Sequence, residues 1–306
     1  MYKDIRAAVM GSINMDIILN MKKVPDVGEN VLGTDYGYAC GGKGANQATG
    51  LARLGAQTKM IGKVADDANG RKLIENLNKN GIDSSCVKDD GSQTGMAAII
   101  VDGEGRNRII VYEGANAEID PKEAADCIDE NIDVLLVQFE TTEDVVVECV
   151  NRAIAQNITT VIDCGPAKNF NLERMQGATI ISPNENETEA LSGIFPADEK
   201  SILEASKIIM QRSKAKYVVL KLGSRGCSVW DGENLKIIPP YKSKVVDTTA
   251  AGDSFTAALA LEYKKSGDIY TACDMGNKAG SIAVSRMGAE SSMATVEDLA
   301  NFHENN

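Results

Sequence analysis

Residues 246–255 read VDTTAAGDSF. The run leaves an apolar segment and enters a helical pattern over 252–263, in which Phe255, Ala258, Leu259 and Leu261 to Glu262 wrap one face. The first turn of such a helix points unpaired N–H groups back at Thr249, Ala250 and Ala251. Small residues there let a charged group approach the backbone, and the free N–H groups with the helix dipole favour an anion. Ala250, Ala251 and Gly252 therefore form a candidate anion cradle. A carboxylate directly behind it, Asp253, is an odd choice for binding an anion and a sensible one for a general base. An ordinary acidic residue in the first turn of a helix reads the same way, so spacing alone leaves both readings open.

Working outward, the chain alternates on either side of its centre. Residues 134–137 (VLLV), 159–162 (TTVI), 179–181 (TII) and 217–220 (YVVL) are strand-like, and 143–155, 187–191 and 201–210 are helical between them. This rhythm predicts an α/β fold: a doubly wound, mostly parallel central sheet with helices on both faces. In such sheets ligands collect beyond the carboxyl ends of the strands. The first third departs from it. Residues 96–101 and 107–112 flank Asp102-Gly103-Glu104-Gly105 as a β-hairpin, and 16–19 and 31–38 add strands. A small β-sheet lid, built from roughly 14–40 and 94–113 within a single domain spanning 1–306, is expected over the main sheet. No proline-rich or serine-rich linker separates the two. Ile109 and Val111 on the outer face of the lid predict a homodimer that covers them with a second lid.

Two further loops carry chemistry. Residues 40–48 (CGGKGANQA) enter a helix that runs through Leu51 and Leu54 to a stop at Gly55. Gly37, Gly42 and Lys43 match most of a P-loop, but Gly44 stands where the Mg²⁺-holding Ser or Thr belongs. Three glycines and an amide at a helix start suit close hydrogen bonding to a polyhydroxylated ligand; a plain glycine-rich turn with a solvated lysine fits as well. At residues 11–16 (GSINMD), placed at the end of the first strand, Asn14 and Asp16 share a side by the period of two and suit the gripping of adjacent hydroxyls, or turn capping.

Composition narrows the chemistry. A formal net charge of −12 over 306 residues, 25% of them charged and 43% hydrophobic, describes an ordinary globular chain and opposes a nucleic acid or an anionic membrane as partner. No apolar run has the length of a spanning helix and no signal peptide is read, so a cytoplasmic setting is expected. Seven cysteines without a CxxC pair read as scattered thiols rather than a disulfide framework or zinc site, with Cys40 beside the glycine-rich loop. The sole histidine, His303, lies four residues from the end, which excludes histidine-based nucleophilic and metal chemistry and leaves proton transfer to a carboxylate, lysine or tyrosine.

GSINMD, GGKGANQA, the strand end Val137-Gln138-Phe139-Glu140, the segment 182–187 (SPNENE), Leu222-Gly223-Ser224-Arg225-Gly226 and DTTAAGDSF, in this order across nearly the whole chain, resemble the PfkB family of carbohydrate kinases, and within it the branch acting on D-ribose. The resemblance implies ATP-dependent phosphorylation of D-ribose at its 5-hydroxyl. It implies that Asn14, Asp16, Gly42, Lys43, Asn46 and Glu140 line the sugar pocket and that Asp253 takes the hydroxyl proton. Ala250, Ala251 and Gly252 would hold the γ-phosphoryl group. Asn184, Lys221, Gly223, Ser224, Gly226 and Asn277 would meet ATP, and Glu187 would organise Mg²⁺ and its waters. Asp247, Thr249, Ala283, Arg286, Gly288 and Ser292 would surround a monovalent cation, K⁺, largely through backbone oxygens. The chain departs from the family pattern at Ala250, where glycine is usual, at Lys221, where threonine is frequent, and at residues 164–167 (CGPA). A kinase for 2-deoxyribose, another small sugar or a nucleoside would use the same loops, and a non-catalytic sugar-binding protein would share the fold while having no need of Asp253 or the 184–187 motif.

Overall fold

In the computed structural model, which describes residues 1–302, His303 and the tail beyond it fall outside the described residues. The chain opens with β1 (Arg6–Met10), β2 (Asn14–Met21), β3 (Gly33–Gly41), α1 (Lys43–Arg53), β4 (Gln57–Ala65), α2 (Ala68–Lys79) and β5 (Asp83–Gly91). It continues through β6 (Gly95–Val101), β7 (Asn107–Tyr112), α3 (Pro121–Asp126), β8 (Val134–Gln138), α4 (Glu143–Ala155), β9 (Thr159–Asp163) and β10 (Ile180–Ser182). Next come α5 (Glu185–Ser192), α6 (Glu199–Ser213), β11 (Tyr217–Lys221), β12 (Cys227–Trp230), β13 (Leu235–Ile238), α7 (Ala251–Ser266), α8 (Ile269–Val284) and α9 (Val296–Ala300).

Nine strands form the main sheet in the order β13-β12-β11-β10-β9-β8-β1-β4-β5. From β11 to β5 every pairing is parallel, and β12 and β13 extend that edge antiparallel. Successive residues of a strand serve opposite faces: Val134 and Leu136 enter one core, Leu135 and Val137 the other. Burial on both faces is why these strands read as unbroken apolar runs. The chain winds outward through β4 and β5 on one side of β1 and through β8 to β11 on the other, so strand order reverses between β1 and β8. Such a reversal opens a crevice at the carboxyl ends of the strands.

The second sheet has the order β3-β2-β6-β7, with β2 and β6 parallel and the other pairs antiparallel. The hairpin and its two added strands match the sequence expectation. Three features differ from it. Asn14 and Asp16 lie at the start of β2 in the small sheet, not at the end of β1, because Gly11-Ser12-Ile13 turns the chain out of the main sheet. α7 is buried all round from Asp253 to Tyr263 rather than along one face, since α1 and α8 pack on it besides the sheet. Cys86 on β5 and Cys127 at the end of α3 form a disulfide, with Cα atoms 6.3 Å apart. They lie 41 residues apart, a separation that carries no local signal. No helix among the described residues is long and apolar enough to cross a membrane.

Candidate active site

The crevice is floored by the residues that leave β1, β8, β9 and β11. Gly42 caps α1 with φ +92°, and a Cβ there would stand 2.7 Å from the Ser12 carbonyl oxygen; one on Gly44 would be equally close to it. Only glycine lets the start of α1 lie directly on the turn after β1. Glu140, just past β8, accepts hydrogen bonds from the Ser12 hydroxyl and from the Lys43 backbone N–H at 3.0 Å, tying that turn to the helix start. It also borders a cleft of about 510 Å³ lined by Tyr112, Glu113, Pro166 and Lys168.

α7 brings Asp253 against α1. The Asp253 carboxylate accepts from Asn46 Nδ2 and Gln47 Nε2, both at 3.1 Å, and Lys43 Nζ stands 3.8 Å away. Gln47 is itself held by Gln138 Nε2 at 2.7 Å and also donates to Asp163 Oδ2 at 2.9 Å. Asp163 further accepts from Lys221 Nζ at 2.9 Å, Gly165 N–H at 3.1 Å and Thr256 Oγ1 at 3.3 Å. Burial lifts the Asp253 carboxyl above the usual range; Lys43 pulls it down and Asp163 adds to the rise. Burial works the same way on Asp163, but the ammonium groups of Lys221 and Lys43 outweigh it and hold that carboxyl low. Two neighbouring carboxylates thus differ in basicity, and the more basic one lies in the first turn of α7.

In front of Asp253 the backbone takes an unusual course. Ala250 holds φ +58°, left-handed for a residue with a Cβ, at a cost of about 1–2 kcal/mol. The Ala251 N–H is engaged by the Thr248 carbonyl at 3.3 Å, whereas the N–H groups of Gly252 and Asp253 make no hydrogen bond among the described residues. At this turn the N–H groups of Gly252 and Asp253 are thus available to a ligand, while that of Ala251 shapes the turn.

On the small sheet, Asn14 Oδ1 accepts from Asn116 Nδ2 at 2.7 Å, and Asn116 is fixed by the Ile13 N–H at 2.9 Å. The Asp16 carboxylate lies over Gly41, where a Cβ would collide with it. Burial first, then the charges of Glu140 and Glu290, push the Asp16 carboxyl up to about 7.

The remaining residues separate into two groups. Lys221 pairs with Asn184 at the edge of β10 and β11, and the turn with Gly223, Ser224 and Gly226 follows directly. Asn277 donates to the carbonyls of Ile238 and Pro239, beside the start of β12. Glu187 and Asn184 cap α5 reciprocally: Asn184 N–H and Nδ2 each donate to the Glu187 carboxylate at 2.7 Å. Elsewhere, Asp247 accepts from Thr249 and from the Gly288 N–H, and the N–H groups of Val246 and Asp247 reach the Val284 carbonyl. These bonds join 246–249 to the end of α8, where Ala283 is buried, and Ser292 is buried in the turn beyond. Arg286 lies just past α8, and its guanidinium forms a bidentate pair with Asp298 that leaves its backbone carbonyl uninvolved.

Asp163, Gln47, Gln138, Thr256 and Asn116 escaped the sequence reading. Asp163 had a signal, a carboxylate at the carboxyl end of an apolar strand; the others act only through partners that folding supplies.

A buried carboxylate of raised pKa behind free helix N–H groups, at the crevice where strand order reverses, is an arrangement suited to a kinase that phosphorylates an alcohol group of a carbohydrate. The family model of the pfkB carbohydrate kinases matches residues 4–296, and the chain belongs to that family. It is 37% identical to the ribokinase of Bacillus subtilis over 95% of this chain and 98% of the relative. It is 27% identical to the deoxyribokinase of Salmonella typhi, over 96% and 97%. The Arabidopsis thaliana ribokinase structure, complexed with ribose and ATP, superimposes with a TM-score of 0.85 at 28% identity, over 97% of this chain and 99% of that one.

Proposed function

We propose that the chain transfers the γ-phosphoryl group of ATP to the 5-hydroxyl of D-ribose, giving ribose 5-phosphate, and works as one catalytic domain over 1–306 with the small sheet as its lid. The observation that carries the reading is the buried Asp253 carboxylate, held by Asn46 and Gln47 behind the free N–H groups of α7. Asn46 supports sugar binding independently, since its buried Oδ1 lacks a hydrogen-bond partner and suits a hydroxyl donor. Asn14, Asp16, Gly42, Lys43 and Glu140 complete the pocket, and Asn184, Lys221, Gly223, Ser224, Gly226 and Asn277 take the nucleotide.

Asp253 accepts the hydroxyl proton as the sugar oxygen attacks, and the N–H groups of Gly252 and Asp253 meet the charge on the moving phosphoryl oxygens. Lys43, close to Asp253, adds a positive charge. Positioning and charge suffice for this chemistry, which explains a chain that manages without a histidine in the described site. Both Glu187 oxygens already accept from Asn184, so Glu187 fits Mg²⁺ through bound waters rather than directly. When bound, Mg²⁺ neutralises the β- and γ-phosphate oxygens. The loops at Asp247, Thr249, Ala283, Arg286, Gly288 and Ser292 would hold K⁺ by backbone oxygens, and the Asp247–Gly288 bond fits that reading by joining the two loops. ATP as donor supports a cytoplasmic setting, and the exposed lid strand supports a homodimer.

Asp253→Asn is expected to cut turnover about 10²–10⁴-fold and leave sugar affinity nearly unchanged. A coupled ADP-release assay with D-ribose, 2-deoxyribose, fructose and adenosine, in K⁺ and in Na⁺, tests the whole reading. Preference for ribose supports it, preference for another acceptor moves the substrate, and no turnover on any of them overturns it in favour of a binding protein.

A further inference from the structure

Neither sugar recognition nor proton transfer uses the ammonium of Lys221. We propose that Lys221 is a catalytic residue whose ammonium binds non-bridging oxygens of the transferring phosphoryl group, facing Lys43 across the reaction centre. The proposal deepens the reading of the site as an ATP-dependent kinase and rests on it.

Three observations converge. A Cβ built on Gly252 would find a single atom within 4 Å, Lys221 Nζ at 3.8 Å. The space at the Gly252 α-carbon, next to the free N–H groups of α7, is thus clear of other elements, and this ammonium borders it. Next, the Lys221 side chain is only 11% exposed, yet among the described residues Nζ spends one of its three donors, on Asp163 Oδ1. A desolvated ammonium with donors to spare is costly unless something anionic meets it. Finally, Asp163 does not need Lys221 for its hydrogen bonds, because Gln47, Gly165 and Thr256 already donate to it. Asp163 instead fixes where the ammonium points. Burial works against the Lys221 charge, but Asp163 and Glu187 more than restore it, so the side chain arrives protonated.

In the transfer, the bond between the γ-phosphorus and its bridging oxygen breaks, and the electron pair leaves with ADP. The sugar oxygen forms the new bond and its proton passes to Asp253. Lys221 is protonated before and after, and its donors follow the phosphoryl oxygens throughout.

The test compares Lys221→Met, Lys221→Thr and Lys221→Arg in the full chain, each checked by thermal unfolding. Binding of the methylene analogue of ATP and of AMP, measured by calorimetry with Mg²⁺, is read beside kcat and the sugar KM. Loss of the charge is expected to weaken the analogue at least about tenfold while sparing AMP, and to lower kcat about 10²–10³-fold with little change in sugar KM; arginine restores part of both. Equal weakening of analogue and AMP, or no change in either, overturns the proposal and leaves Lys221 as the partner of Asp163 alone. If methionine prevents folding, the threonine variant decides, since it keeps a donor and loses the charge. The binding arm stands whichever sugar is the acceptor, so failure of the ribose assignment and failure of this proposal are told apart.

Discussion

The carboxyl group of Asp16 illustrates what one side chain contributes and costs. Its pKa rises from 3.8 to about 7 in the fold, so ionisation is harder in the native state than in the unfolded chain. The resulting loss of stability grows as pH climbs from about 4 to about 7 and is constant above, reaching on the order of 4 kcal/mol. Asp16→Asn is therefore expected to match the parent near pH 4 and to exceed it by roughly 2–4 kcal/mol at pH 8 in denaturant melts. The same gain at both pH values would show that Asp16 titrates normally. The cost fits a group retained for its ligand. Single residues were legible in the sequence where a local run declared them, as with Lys43, Asn46 and Asp253. Gln47 and Asn116 were not, because an amide inside a helix or after a strand is unremarkable until a partner about 100 residues away meets it.

At the scale of elements, α7 and α8 make the tightest helix pair. A Cβ on Gly276 would fall 2.8 Å from two carbons of the Phe255 ring, so the ring of α7 lies directly on the backbone of α8. Gly276→Ala is expected to cost about 1–3 kcal/mol by overpacking, read as a lower denaturant midpoint with an unchanged slope. An unaltered midpoint would mean that Phe255 has room to turn. Strands buried on both faces and helices with an apolar period announced themselves. β12 and β13 did not, being four residues each at an antiparallel edge, and neither did β5, whose charged and polar residues suit an edge strand. The all-round burial of α7 was also hidden, since small apolar residues such as Ala257 and Ala260 dilute the pattern on the face toward its neighbours.

For the whole molecule, the small sheet presents its outermost strand bare. Ile109, Ile110 and Tyr112 of β7 are each at least half exposed, and Tyr36 and Tyr38 stand out from β3. A second copy laid on β7 would cover that edge. Light scattering at micromolar protein is expected to give the mass of two chains, and Ile109→Lys with Val111→Lys the mass of one. A single-chain mass for the parent would sink the dimer.

The seam between β2 and β6 has a further meaning. It runs parallel from Asn14↔Gly95 to Asn20↔Val101, stitching together two stretches of chain that lie some eighty residues apart with α1 and α2 between them. The small sheet is consequently no cassette. An engineer wishing to graft the small sheet of another kinase onto this scaffold has to exchange both stretches at once, and natural recombination at a single breakpoint would unpair the seam. The small sheet is thus open to change residue by residue and closed to transfer by shuffling.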